Sequence, residues 1–264
     1  MMGSAQSPSL ALTEGDLPTQ QKYHGKRDEL AYDPEAQEEV PLVPGLSKMD
    51  NALRWGFIKK VYGIMSAQLF LTALVAAVIM FNEPVQRFVM GSMAFQITCA
   101  VLPLVGLIPL FIYSRKHPHN LIILGLWTAA MSVGVGTACT LYEPFVVLEA
   151  LALTASVTTS LTAYTFYAAR KGQSFQKLGP MLFTCLWAFV AWSFLQIVFP
   201  MPPVGKTIFA LLGAVLFSLY IIYDTEQLIS RHDLDDYVIA SLSLYLDIIN
   251  LFLKLLQLLG NNRQ

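Results

Sequence analysis

Seven apolar runs, each close to the ~20 residues a helix needs to cross a bilayer, occupy most of the chain after its first fifty residues. They cover about 57–80, 93–113, 120–141, 145–168, 178–199, 206–229 and 238–259. Polar positions collect in the short connections, so neighbouring spans are expected to pack antiparallel. Residues 1–50 follow another pattern. QKYHGKRDELAYDPEAQEEVPLVPGLSKMD mixes charge, proline and glycine with no apolar period, and such a segment cannot bury enough surface to order itself. The pattern predicts an all-α integral membrane protein: a disordered tail over 1–50, then a seven-transmembrane-helix bundle over 51–264. No apolar core follows Met1, so no signal peptide is expected and insertion falls to the first span.

Composition sharpens this picture. Of the 264 residues only 13% are charged, about half the roughly 25% of a soluble domain. Nine of the 18 acids fall within residues 1–50, which leaves the spans poorer still. Cys99, Cys139 and Cys185 all sit in apolar runs. Their spacing offers neither a disulfide framework nor a metal motif, and packing is their expected role. A net charge of −1 argues for neither nucleic acid nor a polybasic membrane surface.

Basic residues alternate between the two sets of connections. One set holds Arg54, Lys59, Lys60, Arg115, Lys116, Arg170, Lys171, Lys177 and Arg231; the other holds Arg87, Lys206 and Arg263. Nine against three places the N-terminus and its tail in the cytosol. An odd number of spans then puts the C-terminus on the far side, unless the last segment is re-entrant.

The last span, SLSLYLDIINLFLKLLQLL, carries an aspartate among leucines. Such a residue is expensive in lipid and marks a functional site by default. Ser243, Asp247, Asn250, Lys254 and Gln257 are spaced by 4, 3, 4 and 3 residues, which puts them on one helical face. That stripe should face the bundle interior or a water-filled cavity. Lys254 lies roughly 10 Å along the axis from Asp247, too far for a direct pair, and its stem can snorkel to the interface.

The preceding helix, SLYIIYDTEQLIS, supplies Asp224. The connection RHDLDDY is short, so the two carboxyls fall at similar depth, within about two helical turns. Two carboxylates in a low-dielectric site cannot both ionise easily, so the pair titrates as a unit. One shared proton holds it together; two charges repel or take up a cation. Calcium suits such oxygen donors, and Asn250 and backbone carbonyls could add more. The plainer reading makes Asp224 an interfacial helix cap with Glu226 as its solvated neighbour. Glu149 is a third acid candidate, with Ser156, Thr159 and Ser160 on its face; it either guards the far end of a polar path or sits at the interface. Arg115, in SRKHPHN, is either a positive-inside anchor or a residue that reaches the acid pair and holds a gate shut.

FSLYIIYDTEQLI and SLYLDIINLFLKLLQLLG resemble the signature region of the Bax-inhibitor (transmembrane Bax inhibitor motif) family. RWGFIKKVYGIMSAQLFLTALVA, the SRKHPHN loop and VVLEALALT are similar to its Lifeguard branch, and the likeness runs over roughly 50–260. The resemblance implies a bundle with the C-terminal helix at its centre. It also implies a pH-sensitive calcium leak from intracellular stores and suppression of cell death. Asp224 and Asp247 would be the pH-sensing, ion-binding pair. Arg115, or Lys116 if the loop alignment slips by one, would latch to it when closed. The residue pattern itself, apart from the resemblance, makes Glu149, Ser243, Asn250 and Lys254 the candidates for a polar path. No resident cofactor is implied, calcium being the transported or regulatory ion. The partners would be the bilayer, calcium, protons and death-regulator proteins, in Golgi, ER or vacuolar membranes. The chain ends NNRQ, without the lysine-rich tail of some members.

Rival functions fit less of the sequence. An intramembrane aspartyl protease shares Tyr223-Asp224 but needs GxGD, and here the second aspartate follows Leu-Tyr-Leu. A zinc hydrolase wants His, Cys or acid ligands in the spans, whereas His24, His117, His119 and His232 lie in the tail or connections. A heptahelical receptor leaves the paired aspartates unexplained. A non-conducting scaffold acting through protein contacts stays open beside the leak. None of the favoured readings is an enzyme.

Overall fold

The computed structural model describes residues 48–200, 202–230 and 236–261. Among them are α1 (Lys48–Phe81), α2 (Glu83–Gly91), α3 (Met93–Tyr113), α4 (His119–Cys139), α5 (Pro144–Arg170), a 3-10 turn (Gln176–Leu178), α6 (Gly179–Val198), α7 (Pro203–Ser230) and α8 (Tyr237–Asn261). No strand occurs among the described residues. Seven helices are long and apolar enough to cross a membrane, one for each apolar run. All but the last three residues of the proposed tail lie outside the described residues, as do His24, Arg231, His232 and Arg263.

Two features depart from the apolar pattern. The first helix starts well before residue 57. Phe57, Ile58, Val61 and Met65 are buried while Lys59 and Lys60 are exposed, so an amphipathic turn extends the span toward the basic connections. The second departure is α2, where only a connection was expected. Asn82 caps it, its side-chain oxygen accepting from the Val85 amide at 3.3 Å. Pro84 sits in its first turn, where a missing N–H costs nothing. Ser92 ends it and caps α3 through the Phe95 amide at 3.3 Å. At nine residues it is too short to cross. Val89 points inward while Phe88 and Met90 are exposed, as in a helix lying along an interface.

The C-terminal helix is the centre of the bundle. In its most apolar window 67% of residues are buried, against at most 39% for any other span. It packs against α7, α5, α1 and α4. Outer helices present Ile97, Ile108 and Phe111 of α3, and Phe183, Trp187 and Phe194 of α6, to the outside. Lipid tails are as apolar as leucine, so they do not drive helices together; close approach and interhelical hydrogen bonds must. Gly136 is such an approach: a Cβ there would lie 2.8 Å from Ile79 Cδ1 and 3.1 Å from the Ala76 Cα. The Trp127 indole, lying against Gly106, donates to the Pro103 carbonyl at 2.8 Å and ties α4 to α3.

Gly136→Leu is therefore expected to push α1 off α4 and to cost about 1–3 kcal/mol through overpacking. Gly63→Ala, which would meet nothing within 4 Å, should be neutral or slightly stabilising. Reversible unfolding of the purified protein in mixed micelles reads both. Equal stability of Gly136→Leu and the parent would refute the close packing.

Candidate functional site: a carboxyl pair between two helices

Asp224 lies near the C-terminal end of α7 and Asp247 ten residues into α8. The two helices run antiparallel and pack against each other. Asp247 is only 6% exposed and Asp224 is half-buried. Their carboxyls lie within electrostatic reach of each other. Two carboxyls this near in a low-dielectric setting share one proton more readily than they carry two charges. The Asp247 Oδ2 atom is buried and makes no hydrogen bond. Tyr220, one turn earlier on α7, lies within electrostatic reach of both carboxyls.

The remaining stripe of α8 divides in use. Ser243, Asn250, Lys254 and Gln257 are all half-buried. The Asn250 amide donates to its own helix, at the Leu246 carbonyl, 2.8 Å away. Lys254 lies under aromatic rings: its Nζ is 4.6 Å from the Phe209 centroid and 5.1 Å from Phe189. Those rings stack at 4.1 Å. Gly213 makes the space, since a Cβ there would reach 2.9 Å from Lys254 Cγ. Cation–π contact thus holds the ammonium. Asp247 and Lys254 face α7, and Asp247 is the most enclosed member of the stripe.

Four further positions stand differently from the sequence picture. Glu226 is 4% exposed and not solvated. The turn at Gly172, with φ at 72°, brings Ser174 over it, and the Ser174 hydroxyl donates to Glu226 Oε1 at 2.9 Å. Glu149 is half-buried near the start of α5, at the end of the bundle opposite the α7–α8 connection. Ser156, Thr159 and Ser160 are exposed, and the Ser156 hydroxyl is used within its helix on the Ala152 carbonyl. Ser156 and Ser160 look outward, and Thr159 lines the mouth of an apolar cavity beside α1. Cys99, Cys139 and Cys185 are free thiols; Cys139 is buried and Cys185 exposed.

Arg115 reaches the start of α8. Its Nε and Nη2 donate to Asp236 Oδ1 and Oδ2 at 3.0 and 3.2 Å. Asp236 precedes Asp247 by about three helical turns. Next to it the Tyr237 ring carries Lys60 Nζ at 3.2 Å from its centroid, and the Tyr237 hydroxyl accepts from Asn120 at 2.8 Å. Arg54 donates to the Ile229 carbonyl at 2.5 Å, near the end of α7. Basic residues from two parts of the chain, α1 and the α3–α4 connection, thus clasp both sides of the α7–α8 connection.

Sequence reasoning missed a buried polar ladder. Gln68 donates to Thr128 at 2.9 Å, and Thr72 bonds Ser132 at 3.0 Å and the Tyr245 hydroxyl at 2.8 Å. It joins α1, α4 and α8 and fixes Tyr245 two residues before Asp247. The signal was present as two polar pairs at i, i+4 spacing, Gln68/Thr72 and Thr128/Ser132. Among the described residues no three His, Cys, Asp or Glu side chains converge as a metal site would require.

Comparison with known proteins agrees with this architecture. The family described as "Inhibitor of apoptosis-promoting Bax1" matches residues 54–264. An Arabidopsis thaliana "BI1-like protein" is 50% identical over 226 residues, covering 85% of this chain and 88% of its own length. "Protein LIFEGUARD 2" of the same plant is 43% identical over 84% of this chain and 93% of its own. A "Golgi anti-apoptotic protein" of Vaccinia virus (strain Lister) is 39% identical over 78% and 86% respectively. Matched over nearly all of its helical bundle, this multi-pass membrane protein belongs to the Bax-inhibitor family, in its Lifeguard branch.

Proposed function

We propose that the chain is a pH-sensitive calcium leak pathway or exchanger of intracellular membranes that restrains cell death. The observation that carries this reading is the proximity of Asp224 and buried Asp247, set between two packed helices in an otherwise apolar bundle. With a shared proton the pair pins α7 to α8. When the proton leaves, two like charges face each other where the dielectric is low, and their repulsion grows accordingly. The helices separate at that depth or admit a cation. Calcium is cargo here: two carboxyls fall well short of the 6–8 oxygens of a lodged calcium ion. The orphan Asp247 Oδ2 is a ready acceptor for a passing ion. The N-terminus faces the cytosol by the positive-inside rule. The similarity to a protein named as Golgi-located and anti-apoptotic supports a Golgi membrane and the role in cell death. The action is that of a non-enzymatic regulator.

A second reading, a non-conducting scaffold that meets death-regulator proteins, draws support from one observation. A cavity between α1, α5 and α8 is lined almost wholly by apolar side chains, a lining that suits no ion path.

Calcium release from vesicles reconstituted with the purified chain should rise as pH rises through the pair's titration. Asp224→Asn or Asp247→Asn should flatten that profile while leaving the protein folded. Unaltered pH profiles in both variants would sink the gate. Absence of calcium flux at every pH from folded parent protein would favour the scaffold.

The Arg115–Asp236 clasp makes a separate claim. Arg115 is 63% exposed, so the pair itself is worth only about 0.2–1 kcal/mol. It holds the start of α8, however, and Arg115→Glu or Asp236→Arg should each raise calcium leak at acid pH severalfold. The double exchange should return it toward the parent. A double variant no closer to the parent than either single one would show that the contact plays no part in closure.

A further inference from the structure

A cavity of about 460 Å³ lies on the side of α8 turned toward α1 and α5. Small residues make it: Ala73 and Ala77 of α1 and Ala155 of α5 line it, where larger side chains would close the gap. Buried Val135 and Ile249 form part of its inner wall. Phe81, Leu148 and Leu151 stand at its rim and are 74%, 63% and 49% exposed. The mouth is therefore continuous with the bilayer-facing surface of this membrane protein.

We propose that this cavity is a binding site for one acyl chain of a bilayer lipid. Its size falls within the roughly 300–1,000 Å³ of small-molecule sites. Water is the wrong occupant, because an apolar cavity stays dry unless 2–4 polar partners are available. The Thr72 hydroxyl is committed to Tyr245 and Ser132, and that of Thr154 to the Ala150 carbonyl at 2.7 Å. The unpaired hydroxyl of Thr158 and the exposed Thr159 are the remaining polar groups of the lining, and the rest of it is apolar. A polypeptide segment is also wrong, since its backbone groups would find no partners in such a lining. A hydrocarbon tail loses nothing by leaving the bilayer core for this space, and it restores the dispersion contacts that an empty void forfeits. The inner end of the cavity reaches Thr72 and Ile248. Thr72 holds Tyr245, and Ile248 adjoins Asp247. A lipid tail thus braces the same stretch of α8 that carries the acid pair.

The test uses the full chain in lipid nanodiscs containing phosphatidylcholine with a diazirine at the end of one acyl chain. After irradiation, adducts are mapped by mass spectrometry. Val135 and Ile249 are buried and out of reach of bulk lipid, so adducts there, alongside ordinary labelling of outward Val215 on α7, are the expected result. Filling the space with Ala73→Phe plus Ala155→Phe should cut the inner adducts severalfold and leave Val215 unchanged. If that variant fails to fold, the parent decides. Excess unlabelled long-chain lipid should then reduce inner adducts more than those at Val215. Labelling confined to outward residues, or inner labelling indifferent to both filling and competition, overturns the site. Inner labelling by a diazirine sterol in preference to the acyl probe overturns the assignment of the occupant.

Discussion

A carboxyl group in the bilayer core has no water to solvate it, and the arrangement of this bundle follows from that constraint. Asp247 sits about fifteen ångströms into α8, too deep for its short side chain to reach an aqueous face. It must be enclosed by protein and given a partner. Enclosure requires α8 to be surrounded, which is why helices α1, α4, α5 and α7 pack around it while α3 and α6 take the lipid. The partner is supplied by Asp224, an acid where a base would neutralise the charge permanently. A lysine or arginine at that position would give a static salt bridge. A second carboxyl, on the proposed reading, gives a joint that holds only while a proton is shared.

The same constraint explains the supporting contacts. With little hydrophobic drive between helices in lipid, position is set by hydrogen bonds and close packing. Gln68, Thr72, Thr128, Ser132 and Tyr245 form a ladder that fixes α8 immediately before Asp247. At the end of the bundle near the α7–α8 connection, Arg115, Lys60 and Asn120 fix the start of α8 through Asp236 and Tyr237, and Arg54 fixes the end of α7 through Ile229. Further along, Lys254 rests on Phe189 and Phe209 in the space left by Gly213. Each contact is modest. Together they leave the acid pair as a joint between α7 and α8 whose strength depends on a proton.

Much of this was legible in the sequence because it is local. Seven apolar runs of bilayer length specify seven helices, and 4-3-4-3 spacing specifies a polar stripe on the last of them. The short α7–α8 connection specifies that Asp224 and Asp247 lie at similar depth. What the sequence withheld is non-local. Glu226 read as solvated because it stands near a helix end; it is buried because a turn more than fifty residues earlier, at Gly172, carries Ser174 over it. Arg115 read as an anchor or a latch for the acid pair; its geometry with Asp236 depends on where α8 begins. The short helix α2 escaped notice because nine mixed residues have too little apolar length to stand out, although Asn82, Pro84 and Ser92 were correct caps in plain view.

The two sides of α8 also differ in a way that bears on mechanism. Asp247 belongs to the face turned toward α7, and Ile248, Ile249 and Phe252 to the face that lines the apolar cavity toward α1 and α5. Successive residues on a helix are rotated by about 100°, so neighbours along the chain look into quite different surroundings. A helix backbone is stiff on this scale, and pressure on one face is felt as displacement on the other. Widening the gap to α7 by repulsion within the acid pair requires α8 to move toward the cavity or to turn. An empty cavity yields to that movement, and a filled one resists it. On the proposed readings of both sites, protonation of the pair and occupancy of the cavity are coupled through a single rigid element, which gives a concrete two-state basis for that coupling.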